Sequence, residues 1–401
     1  RAALLTGSYP IRIAEPKNTK DFHTKLHPKE VTIAELLKNE GYQTACIGKW
    51  HVGEEPEQMP LEQGFDYYYG TPKYNGNSKL IEESPYRSPI LRNKDTLMVI
   101  NTVEEMGLLT NKYTKEATDF IKKNKKNPFF LYLAHNMPHV PIGASEKFRA
   151  KSEGGFYGDV IEELDWSMGE VLKTLKDEGL EENTLVIFVS DNGPWIEEKI
   201  GDHAGSAYPL KGSKAQTWEG GVRVPCIMQW KGQIKEGVTN TELLTTMDFF
   251  PTFLEFSGAK LSQKLTIDGK SFSDVLLKNK KSKHDFFYYY AYTHLQAVRD
   301  KDWKLVVPRS KNPDYMKWRG RKINAVKEVQ LFNMKNDKEE QYNLAEQNPE
   351  KVKELMLLIE EGREELGDHN RIGKGARFYD DNPKTQRIDE YNKWKNNQKE
   401  N

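Results

Sequence analysis

Short apolar segments alternate with amphipathic segments through the first two thirds of the chain. Residues 113–125 and 157–178 carry apolar side chains at the three- and four-residue spacing of a helix face. Four apolar runs have the length of buried strands: residues 43–47, 128–134, 184–190 and 224–230. Apolar strands that alternate with helices are typical of a sheet that is covered on both faces. The pattern therefore predicts an α/β fold, with helices on both sides of a large, mostly parallel or mixed sheet.

The start of one further helix is marked by its residue types. Thr32 is followed three residues later by Glu35, which is the pattern of a capping box. Apolar residues at positions 33, 36 and 37 then fall on one helical face. We therefore expect a helix that begins directly after Thr32.

The pattern changes after about residue 280. A charged segment is followed by four short apolar stretches and then by one amphipathic segment at residues 349–366. This pattern predicts a small antiparallel sheet with one helix, which we expect to form a second domain. The predicted division is a large domain over residues 1–280, a C-terminal α+β domain over 281–370 and a polar tail over 371–401, extended or partly disordered.

Charge and hydropathy argue against two classes of partner. The 401 residues carry 60 Lys and Arg against 60 Asp and Glu, so the formal net charge is zero. A neutral chain has no overall attraction to nucleic acid or to a membrane surface. No run approaches the ~20 apolar residues of a membrane span. A polyanionic substrate would therefore need a local cluster of basic side chains. Cys46 and Cys226 both lie in apolar runs, so we expect two free, buried thiols.

A carboxylate and an amide follow one of the predicted strands. Asp191 and Asn192 come directly after residues 184–190 and precede Gly193. Functional groups in open α/β sheets gather at the carboxyl ends of the strands, and two hard oxygen donors there suit Ca²⁺ or Mg²⁺. The same three residue types are also strong turn formers, and the tripeptide by itself favours a simple turn.

Three further clusters combine imidazole and lysine side chains in predicted loops. His135 and His139 lie four residues apart in a loop that contains two prolines. Lys49 and His51 lie two residues apart and would face the same way in an extended chain. Lys214 belongs to a segment rich in glycine, lysine and serine that lacks the spacing of a phosphate-binding P-loop. Cations beside titratable imidazoles suit an anionic substrate, although each cluster alone is also typical of a solvated surface loop.

In their order along the chain, these segments resemble the motifs of the type I sulfatase family. The motifs are RAALLTGSYP, GKWHVG, HNMPHVP, SDNGP and PLKGSKAQTWEGGVRVP. The resemblance extends from Arg1 to about residue 260, and weaker similarity continues through MDFFPTFLEFSGA, DWKLV and LFNMKNDKEEQYNLAEQNPEKVKEL. It implies an alkaline-phosphatase-like fold and the hydrolysis of sulfate esters.

The family signature is C/S-x-P-S-R followed by small apolar residues and T-G; of its first five positions this sequence contains only the arginine, as Arg1, and the apolar stretch with Thr6 and Gly7 follows. The resemblance implies that a Cys or Ser oxidised to formylglycine lies four residues upstream, with two metal-binding aspartates further upstream. As written, the sequence should therefore lack its nucleophile. Arg1 would brace the formylglycine. Asp191 and Asn192 match the later metal ligands of the family, with Ca²⁺ favoured over Mg²⁺.

The resemblance also assigns roles to the basic clusters. Three side chains match positions that hold the sulfate oxygens: Lys49, His139 and Lys214. His51 matches the histidine beside the nucleophile and would act as a base in the second half of the reaction, whereas His139 or Lys214 would give a proton to the leaving alcohol. His135 and His203 lie near these motifs but match no family role.

The family further implies a formylglycine-generating or anaerobic maturation enzyme as partner and a periplasmic or extracellular location. The Lys- and Asn-rich composition and two aromatic loops favour a sulfated polysaccharide or oligosaccharide as substrate. Aromatic and charged loops at residues 67–74 and 308–321 are candidates to line a polysaccharide cleft. Two alternatives stay open: a phosphoesterase or phosphonate hydrolase of the same superfamily, and a non-catalytic relative that binds sulfated glycans. The residue at the nucleophile position would distinguish the binding protein from the enzyme.

Overall fold

The computed structural model describes residues 1–14, 25–75, 88–196, 205–261, 265–309 and 325–379. In chain order, its first helices and strands are α1 (Ala2–Thr6), α2 (Ile33–Asn39), β1 (Gln43–Gly48), β2 (Tyr67–Gly70), β3 (Ser88–Arg92), β4 (Asp95–Ile100), α3 (Val103–Gly107), α4 (Leu109–Asn124), β5 (Phe129–Ala134) and α5 (Gly155–Asp177). The remaining ones are β6 (Val186–Val189), α6 (Glu219–Val222), β7 (Cys226–Gln229), α7 (Phe249–Ser257), α8 (Ser273–Lys278), β8 (Phe286–Ala291), β9 (His294–Asp300), β10 (Trp303–Val306), β11 (Gln330–Asn333), α9 (Pro349–Glu365), β12 (Gly367–Asp368) and β13 (Arg371–Ile372).

The main sheet has five strands in the order β4-β3-β2-β1-β5. β1 pairs in parallel with both β2 and β5, whereas β3 and β4 extend the sheet in antiparallel fashion. Alternate side chains of β1 point to opposite faces, as in any strand. Ala45 and Ile47 pack against α4 and α5, and Cys46 packs among residues of α1, α2 and α7. The predicted α/β fold with helices on both faces of a mixed sheet is therefore confirmed.

Two of the four predicted apolar strands do not join this sheet. Within the described ranges, β6 and β7 pair with each other alone, in antiparallel fashion. A cleft of about 1240 Å³ separates β5 from β6, and side chains of α1, α5 and α7 also line it. The sequence predicts one large, mostly parallel or mixed sheet, and these two runs lie outside the five-stranded sheet because, in the described part of the chain, β6 has no strand beside it on the β5 side. Phe188 and Ile227 are consequently 40% and 67% exposed.

Local predictions can be compared directly with the structure. Thr32 caps α2 through a capping box in which Glu35 returns the hydrogen bond, as predicted. Cys46 is fully buried on β1, also as predicted. Cys226 is exposed, so the prediction of a second buried thiol is wrong. The physical reason is the same open sheet: no layer of described residues covers Cys226 on β7.

The C-terminal strands form an antiparallel sheet in the order β11-β10-β9-β8, with α9 packed on it through Leu355 and Ile359. Its other side contacts Trp218 through Phe332. Residues 371–379 return to the first part of the chain, where Arg377 Nε donates to Glu30 Oε1 at 2.8 Å. Among the described residues, no helix is both long enough and apolar enough to cross a membrane.

Candidate active site

The parallel pairing of β1 and β5 brings two predicted clusters to the same edge of the sheet. Lys49 follows β1, and the loop with His135 and His139 follows β5. Lys49 N donates to the carbonyl of Ala134 at 2.7 Å, so β1 and β5 stay paired up to the residues where each strand ends. Gly48 makes this approach possible, since its φ is 113° and a Cβ would lie 2.1 Å from the carbonyl oxygen of Ala134.

Arg1 links the end of β1 to the loop that follows β6. Its Nη1 donates to the carbonyl of Lys49 at 2.6 Å and to Tyr132 Oη at 3.0 Å. Its Nε lies 3.6 Å from Asp191 Oδ2. The Arg1 side chain is 11% exposed, and Lys49 is 5% exposed. Two buried cations therefore lie beside one carboxylate.

The electrostatic environment keeps Asp191 ionised. Partial desolvation of the half-exposed Asp191 carboxylate would by itself raise its pKa, but the positive charges of Lys49, Arg1 and Lys214 outweigh this effect and hold the pKa well below its usual range. Burial lowers the pKa of Lys49 well below its usual value, helped by Arg1 and Lys214 and opposed by Asp191. A site with this excess of cationic groups is suited to an anion.

The oxygen donors that follow β6 fit a hard divalent cation. The side chain of Asp191 is 44% exposed, so its carboxylate is accessible. Asn192 Nδ2 donates to the carbonyl of Gly193 at 2.9 Å, which orients the amide and leaves Asn192 Oδ1 as an oxygen donor. Carboxylate and amide oxygens are the ligands that Ca²⁺ prefers. Asp191 and Asn192 therefore lie in the turn that the sequence predicts and also present oxygen atoms that can bind a metal ion.

His139 lies among aromatic rings beside the cationic groups. Its ring centroid is 5.2 Å from that of Tyr74 and 6.2 Å from that of Trp195. Its Nδ1 lies 2.7 Å from the carbonyl oxygen of Val140. A carbonyl can only accept, so Nδ1 carries the hydrogen. Burial lowers the pKa of His139 well below its usual value, and the charges of Lys214 and Lys49 lower it further.

His51 reaches the site by a different route from the one the sequence predicts. The spacing argument required an extended chain from Lys49 to His51, but His51 has a φ of 61° and the chain turns there. That argument is therefore wrong. The His51 ring instead lies 4.8 Å from Tyr74, which also contacts His139. Tyr74 is a buried residue of the 67–74 segment that the sequence offers as a cleft lining, and its contacts with the two histidines were not predicted, because nothing in its local pattern separates it from a core tyrosine.

The structure brings together five of the predicted residues and turns one of them, His135, away from the rest. Electrostatic coupling joins one group: Arg1, Lys49, His139, Asp191 and Lys214. His135 points instead to α5, where its Nε2 lies 3.2 Å from Ser167 Oγ, and burial lowers its pKa to about 4. His203 lies outside the described residues, as do residues 310–321 of the proposed cleft loop.

Comparison with known proteins agrees with this fold and this cluster. The sequence model of the sulfatase family matches residues 1–259, and that of the C-terminal region of N-sulphoglucosamine sulphohydrolase matches residues 213–365. The chain therefore belongs to the sulfatase family, in the alkaline phosphatase superfamily.

Individual relatives are also sulfatases by name. An arylsulfatase of Hemicentrotus pulcherrimus is 34% identical over 314 residues, which cover 75% of this chain and 56% of that protein. The PsFucS1 sulfatase of Pseudoalteromonas sp. superposes with a TM-score of 0.78 at 28% identity, over 90% of this chain and 78% of that one. Ps i-CgsB in complex with k-i-k-neocarrahexaose gives a TM-score of 0.75 at 25% identity, over 98% and 86% of the two chains. The chain thus spans little more than half the length of the arylsulfatase.

Proposed function

We propose that this protein is a sulfatase that hydrolyses sulfate monoesters of a polysaccharide or oligosaccharide. The observation that carries the proposal is the cluster at the sheet edge, where Arg1 forms an ion pair with Asp191, Lys49 and Lys214 add positive charge that lowers the pKa of that carboxylate, and the His139 ring lies beside them. Such preorganised positive charge stabilises an anionic ester most strongly as charge develops in the transition state. Membership of the sulfatase family supports sulfate over phosphate or phosphonate.

The residues of this chain would divide the work as follows. Asp191 and Asn192 would hold a divalent cation, most suitably Ca²⁺, which when bound supplies positive charge next to the ester. Lys49 and Lys214 would hold the sulfate oxygens beside the His139 ring, and Lys214 would give a proton to the leaving alcohol, because the lowered pKa of His139 disfavours its protonated form.

Arg1 would brace the nucleophile, which the family signature puts four residues upstream as formylglycine. His51 would act as a base in the second half-reaction.

The cleft between β5 and β6 is a suitable location for the segment upstream of Arg1. Its walls are the backbone edges of two strands and apolar side chains from both layers of helices. An extended chain is the structure that would satisfy such edges. We propose that residues preceding Arg1 run through this cleft and bring the nucleophile and the remaining metal ligands to the edge where Asp191 lies. A periplasmic or extracellular location and a formylglycine-generating partner belong to the same proposal.

The substrate class rests on two lines of support. Ps i-CgsB, a structural neighbour, is bound to a neocarrahexaose in its crystal structure. Aromatic side chains also lie at this cleft, with Trp195 beside His139 and Tyr208, a further lining residue, 90% exposed. Aromatic faces of this kind suit the apolar faces of sugar rings.

The test is turnover by the full-length protein, including the segment upstream of Arg1. We expect release of sulfate from defined sulfated oligosaccharides, and no comparable release of phosphate from matched phosphate or phosphonate esters. Release of phosphate at an equal or higher rate would favour the phosphoesterase. Tight binding of the oligosaccharides without turnover, in protein whose nucleophile position holds neither Cys nor Ser, would favour the glycan-binding relative.

A further inference from the structure

A buried cluster of charges lies between the C-terminal sheet and the segment that carries Lys214, defined here as residues 211–222. Lys304 on β10 has a fully buried side chain, and its Nζ lies 2.7 Å from Glu340 Oε1 and 3.2 Å from Glu219 Oε1. Arg299 on β9 adds a second cation, with Nη1 3.1 Å from Glu219 Oε2. Two cations thus meet two carboxylates. A buried charge needs such partners, because its desolvation is otherwise uncompensated.

The same charges hold the backbone of the 211–222 segment. Lys304 Nζ donates to the carbonyl of Thr217 at 2.7 Å, and the backbone N–H of Glu219 donates to Glu340 Oε2 at 2.7 Å. Thr217 Oγ1 also donates to Gln296 Oε1 on β9 at 3.0 Å. Side chains from the C-terminal sheet and the loop after β11 therefore fix both a carbonyl and an amide of this segment.

Short hydrogen bonds carry this constraint toward Lys214. Gly220 N donates to the carbonyl of Lys211 at 2.8 Å, and Ser213 N donates to Gln216 Oε1 at 2.9 Å. Lys214 N donates to the carbonyl of Pro194 at 2.8 Å, which ties it to the loop after β6. The backbone on both sides of Lys214 is thus held in place, and the cluster around Lys304 anchors the C-terminal side.

We infer that Lys304, through its ion pairs with Glu219 and Glu340, is a positioning residue for Lys214. Lys304 lies in the C-terminal sheet and acts only through the 211–222 segment. The C-terminal sheet is then part of the catalytic apparatus as well as a packing layer. The inference rests on the proposed function, since Lys214 is taken to hold the sulfate.

The test is a double-mutant cycle of Lys304→Met and Lys214→Ala in the full-length protein. If the loss of Lys304 displaces Lys214 by a fraction of an ångström, kcat/KM for a sulfate ester should fall ~10-fold or more. We expect that loss when Lys304→Met is made in the wild type. In the Lys214→Ala background we expect less than a ~2-fold further loss, because the group that Lys304 positions is already gone.

Lys351→Met provides the matched control. Lys351 also belongs to the C-terminal part of the chain, where its Nζ lies 2.7 Å from Asp300 Oδ2 and 2.8 Å from Glu354 Oε1, and both of these partners lie outside residues 211–222. Its kcat/KM should stay at the wild-type value. Amide hydrogen exchange in residues 211–222 should be faster in Lys304→Met than in Lys351→Met, which gives a readout that does not depend on turnover.

Glu340→Gln keeps the test available if Lys304→Met does not fold. Glutamine retains an oxygen that accepts from the Glu219 amide and removes only one charge, so the same pattern is expected with a smaller loss. Equal losses in both backgrounds, or wild-type kcat/KM with unchanged exchange in the segment, would overturn the inference. An inactive wild type would instead defeat the proposed function, and the exchange measurement would still decide whether Lys304 anchors the segment.

Discussion

At the scale of single residues, the ionisation state of the side chains at the sheet edge depends on the charges around them. Asp191 lies among Lys49, Arg1 and Lys214, so the site holds more positive than negative charge before any ligand enters. Lys214 is the member of this group that the sequence places farthest along the chain. Its contribution can be measured directly, because its backbone, rather than its side chain, makes the contact with Pro194.

Lys214→Ala should lower kcat/KM by on the order of 10²-fold or more while the fold stays intact, since a charge-assisted contact to the sulfate is lost in a site with little water. Steady-state kinetics on a sulfate ester measures this effect. Lys115→Ala on α4 is the control, because that side chain is 73% exposed and forms its ion pair with Asp119 one turn along the same helix. Wild-type turnover by Lys214→Ala would rule out the assigned role.

Asp368 is a buried carboxylate that contributes to stability, in contrast to Asp191 at the site. It is 3% exposed and accepts from the backbone amides of Leu295 and His369 and from Arg363 Nε at 2.9 Å. Burial by itself would raise its pKa, but the His369 hydrogen bond and charge outweigh it, and the pKa falls to about 2. A carboxyl group whose pKa is lowered in the folded state stabilises the fold at pH values above the pKa that the group has in the unfolded chain. That stability is lost as the pH falls toward about 2.

Asp368→Asn should therefore lower the free energy of unfolding at pH 7 by on the order of 2 kcal/mol, and by less at pH 3. Urea unfolding at the two pH values measures the difference. Asp177→Asn serves as the control, because its carboxylate is 53% exposed and should change stability little at either pH. A deficit that is the same at pH 3 and pH 7 would contradict the assigned ionisation.

At the scale of elements, close backbone contacts position the loops that carry the site. Gly193 N donates to the carbonyl of Gly221 at 2.9 Å, so the loop with Asp191 and Asn192 lies directly against α6. A Cβ on Gly193 would lie 1.9 Å from the carbonyl oxygen of Gly220. Only glycine permits that approach.

Gly193→Ala should separate the loop from α6, and we expect a lower melting temperature together with a loss of kcat/KM of ~10-fold or more. Differential scanning calorimetry and kinetics measure the two effects. Gly169→Ala on α5 is the matched control: a Cβ there meets nothing within 4 Å, and the substitution should stabilise the helix by up to ~1 kcal/mol. Equal behaviour of the two variants would refute the packing argument.

At the scale of the whole molecule, a bound cation should couple the site to global stability. A ligand at 100 times its Kd stabilises the folded state by about 2.7 kcal/mol, provided that it does not bind the unfolded chain. We expect Ca²⁺ to raise the melting temperature of the full-length protein, and chelation to reverse the rise. Asp191→Asn should weaken the response, whereas Asp177→Asn should keep it. An unchanged response in Asp191→Asn would exclude Asp191 as a ligand.

The local patterns were enough to predict most of the elements that form the core. Neighbouring residues are enough to indicate three of these features: the capping box at Thr32, the apolar run of β5 and the helical spacing of apolar residues in α5. The order of the motifs was likewise enough to indicate the family. The division into domains and the roles of the site residues remain predictions.

Pairing and contact across the chain were decided only by the tertiary structure. An apolar strand pattern does not specify its neighbour, so the sequence could not predict that β6 would pair with β7 across a cleft from β5, or that Cys226 would be exposed. Nor could it predict that His51 meets His139 through Tyr74 while His135 turns to Ser167. Residue type and spacing determine local conformation, whereas partners distant in sequence are chosen by which surfaces the fold brings together.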